Sequence, residues 1–326
     1  MTLTMRCLMQ VITIHHPIDQ NLKNNEGIVL ALGFFDGVHR GHQAVIKAAR
    51  KEAFKRKLPL AVMTFNISPL IVNQDLHPNQ MKYLTQNQEK MLLLESFGVD
   101  RVYLVDYTSA FSNQSPKAFV DNYLVGLNAK VVVAGFDYTY GAKAIANMKN
   151  LPDYAEDRFK IIEVPVLNEN NNKIASKQIR KELTEGSLEE ANQALGYPYF
   201  FRGLVINGFK RGRTLGFPTA NIYTQASTLI PKVGVYLVQC QINHQLFWGM
   251  ASIGYNVTFG DDNDKTIEIN LFDFESEIYG EEMLVFWYEY LRGEKKFSSV
   301  EAMVEQLNQD KSDCLSRLQK YENYQN

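Results

Sequence analysis

The fold turns on one stretch, Ile28-Val29-Leu30-Ala31-Leu32-Gly33-Phe34-Phe35-Asp36-Gly37-Val38-His39-Arg40-Gly41-His42. The five apolar residues Ile28–Leu32 read as a strand buried on both faces, and Gln43–Lys57, rich in Ala, Lys and Arg, reads as a helix. The segment between them is a strand-to-helix turn, and at the carboxyl edge of a parallel sheet such turns bind nucleotides. Glycines let the backbone approach a phosphate, while the helix N-terminus offers free N–H groups and a positive dipole. His39 and His42, three residues apart on the first turn, share a face and reach the same phosphates. They are candidate catalytic residues, with Gly33, Phe35, Asp36 and Gly41 as candidate nucleotide-binding residues beside them.

The same alternation runs outward from this turn. Leu60–Phe65, Val102–Val105, Lys130–Ala134 and Ile161–Val164 read as further strands, and Gln88–Phe97 and Pro116–Leu124 as further helices. Continuous apolar strands separated by helices mark a parallel sheet covered on both faces, so the expected architecture is doubly wound α/β. The Asn-rich stretch Glu163–Lys173 fits an exposed, mobile loop, and short helices follow across Gln178–Leu195. From Tyr199 the pattern changes to closely spaced strands at Phe200–Ile206, Gly234–Ile242, Leu246–Ile253, Ile267–Leu271 and Met283–Leu291. That is the pattern of an antiparallel barrel or sandwich, and Ser299–Tyr321 reads as a closing amphipathic helix. The boundary is expected near residues 185–198, which gives domains 9–185 and 186–326.

A length of 326 residues suits two domains. With 34 Lys+Arg against 36 Asp+Glu, the near-neutral balance argues against a coat for nucleic acid or an acidic membrane surface. No apolar run approaches the ~20 residues of a membrane span. Cys7, Cys240 and Cys314 are too scattered for a disulfide framework or a cysteine zinc site. Met1–Met9 is too short and too weakly apolar for a secretory segment, so the chain reads as cytoplasmic, with Met5 and Met9 as further candidate starts.

The second chemical region is Gly208-Phe209-Lys210-Arg211-Gly212-Arg213-Thr214-Leu215-Gly216-Phe217-Pro218-Thr219-Ala220-Asn221. A loop carrying Gly208, Arg211, Gly212, Arg213 and Gly216 suits closure over phosphate, and Pro218 fixes the turn that presents Thr219 and Asn221. A hydroxyl and an amide oxygen are hard ligands suited to Mg²⁺ alongside phosphate, although a plain Gly/Pro hairpin has the same composition. Further on, strand alternation sets Glu268 opposite in face to Ile267 and Ile269. A carboxylate there, at a barrel mouth, suits acceptance of a proton from an attacking hydroxyl, although most strand glutamates are simply solvated.

The His39-Arg40-Gly41-His42 run resembles the HxGH signature of the nucleotidyltransferases, whose second loop is matched by Ile174–Arg180. Class I aminoacyl-tRNA synthetases share the first motif, but this chain is too short for a tRNA-reading body. Together with Leu215–Asn221, Gly234-Val235-Tyr236, the Glu268 strand and Leu291-Arg292-Gly293-Glu294, the pattern is similar to the bifunctional bacterial riboflavin kinase/FAD synthetase family over nearly the whole chain. The resemblance implies an N-terminal Rossmann-like nucleotidyltransferase domain and a C-terminal riboflavin-kinase barrel. It also implies phosphorylation of riboflavin by ATP to FMN, then adenylylation of FMN to FAD with release of pyrophosphate. It makes Thr219 and Asn221 the Mg²⁺–nucleotide ligands and Glu268 the general base. His39 and His42 would hold triphosphate under Ser176 and Arg180, Asp137 would line the flavin/nucleotide site, and Arg292 would belong to the kinase site.

Departures from the family pattern cluster in the first half. Ser68 stands in Phe65–Pro69 where a histidine is usual, and Lys177 replaces a small hydroxyl in the second loop. A chain with only one live site, or a regulator that binds flavin or nucleotide without turnover, therefore stays open at this point. No GxGxxG run is present, so flavin is expected as substrate and product, not as a bound redox group. Riboflavin, FMN and ATP are the expected partners, with no nucleic acid or membrane, and self-association is left open.

Overall fold

The computed structural model describes residues 8–22, 26–74, 80–169, 172–208, 217–255 and 265–322. The chain divides into two compact units between Ser176 and Lys177.

The first unit is built on a six-stranded sheet. Its strands are β1 (Gln10–Ile14), β2 (Ile28–Leu32), β3 (Leu60–Phe65), β4 (Arg101–Val105), β5 (Ala129–Gly135) and β6 (Lys160–Val164), in the order β1-β4-β3-β2-β5-β6. Every pairing is parallel. All residues of β2 and β3 are buried, as their unbroken apolar runs require of strands covered on both faces. Chain order reverses between β2 and β5, and doubly wound sheets open a binding crevice at such a switch point. The strand β1 has no counterpart in the sequence reading. It is an edge strand with mostly exposed side chains, so it lacks the apolar run that marked the others.

Between the strands lie α1 (Arg40–Arg56), α2 (Pro69–Asn73), α3 (Asn87–Ser96), α4 (Ser109–Ser112), α5 (Pro116–Phe119) and α6 (Leu151–Ala155). The helix expected over 116–124 is α5 followed by a wider-wound stretch at Val120–Val125. The loop expected over 163–173 carries a small hairpin, β7 (Asn168–Glu169) with β8 (Asn172–Lys173). Asn170 and Asn171 lie outside the described residues.

The helix α7 (Ser176–Glu185) starts on the last residue of the first unit, and the second unit takes in the rest of it, α8 (Leu188–Leu195) and then a closed antiparallel barrel. Its strands are β9 (Tyr199–Ile206), β10 (Ala220–Tyr223), β11 (Gly234–Ile242), β12 (Gln245–Tyr255), β13 (Lys265–Leu271) and β14 (Glu282–Arg292), in the order β10-β13-β12-β11-β14-β9. Closure removes the free edges that an open sheet of this kind exposes. The four-residue β10 went unread because its sequence belongs to the Pro218 turn.

A final helix, α9 (Val300–Glu322), buries Cys314 and Leu318 against Val235, Leu237, Met250 and Phe272 of the barrel. Two charged anchors fix it. Arg292 forks onto Asp310 at 2.8 and 2.6 Å, and the buried Glu289 accepts from Arg317, Lys320 and Tyr321.

Candidate active sites

In the first unit the strand-to-helix turn is held under backbone strain. Phe35 has φ 55° and Val38 φ 31°, left-handed values that a non-glycine residue adopts at a cost of about 1–3 kcal/mol. Three ties hold it there. Asp36 Oδ1 accepts from the backbone N–H groups of Leu84 and Thr85 at 2.9 and 3.1 Å, Gly37 N–H donates to Thr85 Oγ1, and Ser176 Oγ donates to Asp36 O at 2.9 Å. Asp36 is 2% exposed and faces this network, away from the cavity. Gly33 has no room for a Cβ, because the Phe35 ring lies 2.9 Å from where one would sit.

His39 caps α1, its Nδ1 accepting from the His42 backbone N–H at 3.3 Å. That bond leaves the proton of the neutral imidazole on Nε2, as a donor. The two imidazoles stack, with centroids 3.6 Å apart and planes 17° apart. Gly41 permits this, since a Cβ at Gly41 would lie 3.1 Å from His39 Cε1. Burial first, then the neighbouring His39 and Lys90, hold the His42 imidazole well below its ordinary pKa. Its Nδ1 is shut off from solvent with no partner among the described residues.

Both histidines line a cavity of about 390 Å³ at the carboxyl ends of β2 and β5. Gly33, Phe35, Gly41, Asp137 and Ser176 line it too. Asp137 pairs with Lys173 at 2.6 Å, and the same ammonium lies 4.8 Å from the Phe136 ring centroid. The sequence reading passed over Lys173, whose partner is 36 residues away across a hairpin that is polar throughout. Arg180 lies on α7 in the second compact unit, and the exposed Lys177 is there as well.

In the second unit Asn221 on β10 sits directly opposite Glu268 on β13, and Glu268 opposite Ser252 on β12. Glu268 is exposed while Ile267 and Ile269 are buried, as the alternation required. Thr219, one residue before β10, donates to Glu268 Oε2 at 3.5 Å. Gly208 packs so closely under Asn221 that a Cβ there would fall 2.0 Å from its side-chain nitrogen. Asn270, buried and also unread in the sequence, donates to Pro218 O at 2.8 Å and so pins the turn that presents Thr219. Beside these groups lies a cavity of about 310 Å³, lined by Pro218 and Thr219, by barrel residues including Ile269 and Leu271, and by Phe274–Tyr279.

Hydroxyl, amide and carboxylate oxygens gathered in one row are hard donors, and that set fits Mg²⁺ bound jointly with phosphate. Arg292 has its fork filled by Asp310 and also donates to Gly293 O, so its visible work is anchoring α9. Arg211, Gly212, Arg213 and Gly216 lie outside the described residues.

A parallel-sheet unit with stacked histidines at its switch point, joined to a closed barrel with a hard-oxygen row, defines a two-site nucleotide-handling transferase. Residues 21–178 match the FAD synthetase family and residues 195–318 the riboflavin kinase family. The bifunctional riboflavin kinase/FMN adenylyltransferase of Listeria monocytogenes is 49% identical over 96% of this chain and 100% of its own length. That of Bacillus subtilis is 40% identical, over 94% of this chain and 98% of its own. A crystal structure from Streptococcus pneumoniae, described as a macrolide-efflux protein, superposes with a TM-score of 0.85 at 38% identity, covering 93% of this chain and 98% of that one. The chain belongs to the bifunctional riboflavin kinase/FMN adenylyltransferase family.

Proposed function

We propose that the two activities occupy separate sites, adenylyl transfer in residues 9–185 and riboflavin phosphorylation in residues 186–326. The observation that carries this reading is the tandem family match, each half falling on a unit with its own cavity and its own polar cluster. The efflux description of the Streptococcus pneumoniae structure is not carried over, because the two halves of the chain match the FAD synthetase and riboflavin kinase families.

In the barrel, Glu268 takes the proton of the riboflavin 5′-hydroxyl as its oxygen bonds to the γ-phosphorus of ATP and the bond to the β-phosphate oxygen breaks. Thr219 and Asn221 would hold Mg²⁺, which neutralises charge on the nucleotide phosphates. Positioning and charge neutralisation supply most of the acceleration in such transfers. The Gly208–Gly216 loop, with Arg211, Gly212 and Arg213, enters this reading on its motif.

In the first unit an FMN phosphate oxygen attacks the α-phosphorus of a second ATP, and pyrophosphate leaves. His39, with its proton on Nε2, and the N-terminus of α1 bind the triphosphate, and the growing negative charge raises the proton affinity of His42. Ser176 belongs to the same cavity, and Arg180 enters on the Ile174–Arg180 motif. Both reactions draw on ATP, and we place them in the cytoplasm.

Chromatographic analysis of products tests the division. Wild-type protein given riboflavin, ATP and Mg²⁺ yields FMN and FAD, and given FMN it yields FAD. The double change His39→Ala with His42→Ala abolishes FAD formation and spares FMN formation. Loss of both activities together counts against separate sites.

A further inference from the structure

Lys90 is among the most buried lysines a globular protein tolerates, at 1% exposure, yet it lines neither cavity. Its ammonium projects from α3 beneath the strand ends that carry the first site. It donates to Phe65 O at 3.2 Å and to Thr64 Oγ1 at 3.4 Å, and it lies 4.5 Å from the Phe34 ring centroid. Thr64 Oγ1 in turn donates to Phe34 O at 2.8 Å, so lysine, threonine and the strained turn form one chain of contacts. Phe34 is the residue between: one side of the ring meets the ammonium, and the residue lines the histidine cavity.

Retaining a buried ammonium whose hydrogen bonds go to neutral oxygens is expensive, and an apolar side chain of similar volume would fill the space at lower cost. What the lysine adds is a fixed positive potential directly under a polyanion site. We propose that Lys90 is a positioning residue for adenylyl transfer, holding the Phe34–Asp36 turn and supplying buried positive charge beneath the histidine pair. The proposal rests on the reading of the first unit as the adenylyltransferase.

The titratable groups around Lys90 agree with it. Asp36 on the turn attracts the ammonium, and His42 on α1 is depressed by burial first, then by His39 and by Lys90. On its own helix the neighbouring Glu89 is buried as well. Burial brings Lys90 itself down to about 8, with Asp36 opposing the fall. The ammonium is therefore charged at neutral pH and loses its proton within reach of an ordinary rate profile.

The test compares wild type, Lys90→Met and Lys90→Arg in the full chain, following FAD formation from FMN and ATP between pH 6 and 10. Lys90→Met lowers kcat/KM for FAD about 10-fold at neutral pH, less than the 10²–10³ of a donor that touches the reacting atoms. The wild-type loss of rate near pH 8 is absent in Lys90→Met. Lys90→Arg keeps the neutral-pH rate and also lacks that loss, because a guanidinium stays charged. In histidine-labelled protein the His42 imidazole titrates at higher pH in Lys90→Met than in wild type.

A constant rate factor between wild type and Lys90→Met at every pH, with His42 unmoved, overturns the proposal and leaves a packing role. Equal damage from Lys90→Arg does the same. Wild-type protein that makes no FAD from FMN and ATP overturns the underlying reading instead, and FMN formation in each variant shows that the chain is folded.

Discussion

Gly41→Ala separates stability from catalysis at the first site. The new Cβ would lie 3.1 Å from His39 Cε1 and 3.2 Å from its Nδ1, tighter than ordinary contact, so the imidazole must move by a few tenths of an ångström. Its way back is blocked by the cap bond to His42 N–H and by the stacked His42 ring. Loss of an N-cap costs about 0.5–2 kcal/mol. Alanine in place of glycine near a helix start returns up to about 1 kcal/mol. The two nearly cancel, so the melting temperature of the variant stays close to wild type. Catalysis has no such compensation. A 1 Å misplacement costs on the order of 100-fold, so a shift of a few tenths of an ångström is expected to lower kcat/KM for FAD formation about 10-fold. The assay is initial-rate FAD formation from FMN and ATP, with FMN formation from riboflavin as the internal control. Wild-type FAD rates in Gly41→Ala would refute the steric argument, and a parallel fall in FMN formation would refute its locality.

Glu268→Gln is expected to cut FMN formation about 10²–10⁴-fold while leaving FAD formation from supplied FMN intact, and an unchanged rate would remove Glu268 as the base. Asp36→Ala strips two buried N–H groups of their acceptor, at about 1–3 kcal/mol each. Calorimetry should show the first unit melting earlier, and an unshifted transition would show that the turn holds itself. Burial pushes the Glu289 carboxyl up, but the bonds from Tyr321, Arg317 and Lys320 more than offset this and hold it below 4.5. A carboxyl depressed on folding contributes stability above its unfolded value, and that contribution fades as pH falls through the folded one. Melting of wild type should therefore drop as pH falls below about 4.5, and Glu289→Gln should flatten the drop; identical pH slopes would contradict this.

Much of this was legible in the sequence, for a physical reason. Strands buried on both faces announce themselves as apolar runs, so β2, β3 and β11 were readable directly. The edge strand β1 and the short β10 have no such signature, because pairing rather than burial defines them. The site divides the same way. His39 and His42 stood out by their place and spacing, and Thr219, Asn221 and Glu268 through the resemblance of the runs that carry them to a known family. Lys173 and Asn270 were not, because each acts through a partner 36 or 52 residues away. Asp36 shows the converse: the motif carried the residue into the sequence reading, and only the structure shows its carboxylate tying the turn to Leu84 and Thr85.

The two sites solve one electrostatic problem in opposite ways. Triphosphate must be held by positive potential, and a permanent cation exposed beside a flexible substrate is screened by solvent. Besides the exposed Lys173, which Asp137 pairs, the first unit holds cationic capacity inside: His42 is largely uncharged, Lys90 is sealed under Phe34, and the N-terminus of α1 adds partial charge without a titratable group. Low-dielectric surroundings make each of these worth more once water is displaced by the nucleotide. In the barrel, Thr219, Asn221 and Glu268 lie on a more open strand row whose described groups are oxygen ligands with one negative charge, and Arg211 and Arg213 join them on the motif. That row suits a cation arriving with the nucleotide, and it leaves the carboxylate available for the proton of the attacking hydroxyl. A single chain can therefore use ATP twice without confusing the sites. On the proposed reading, one holds the polyanion largely by built-in positive potential, and the other by the Arg211 and Arg213 loop together with the cation the polyanion carries.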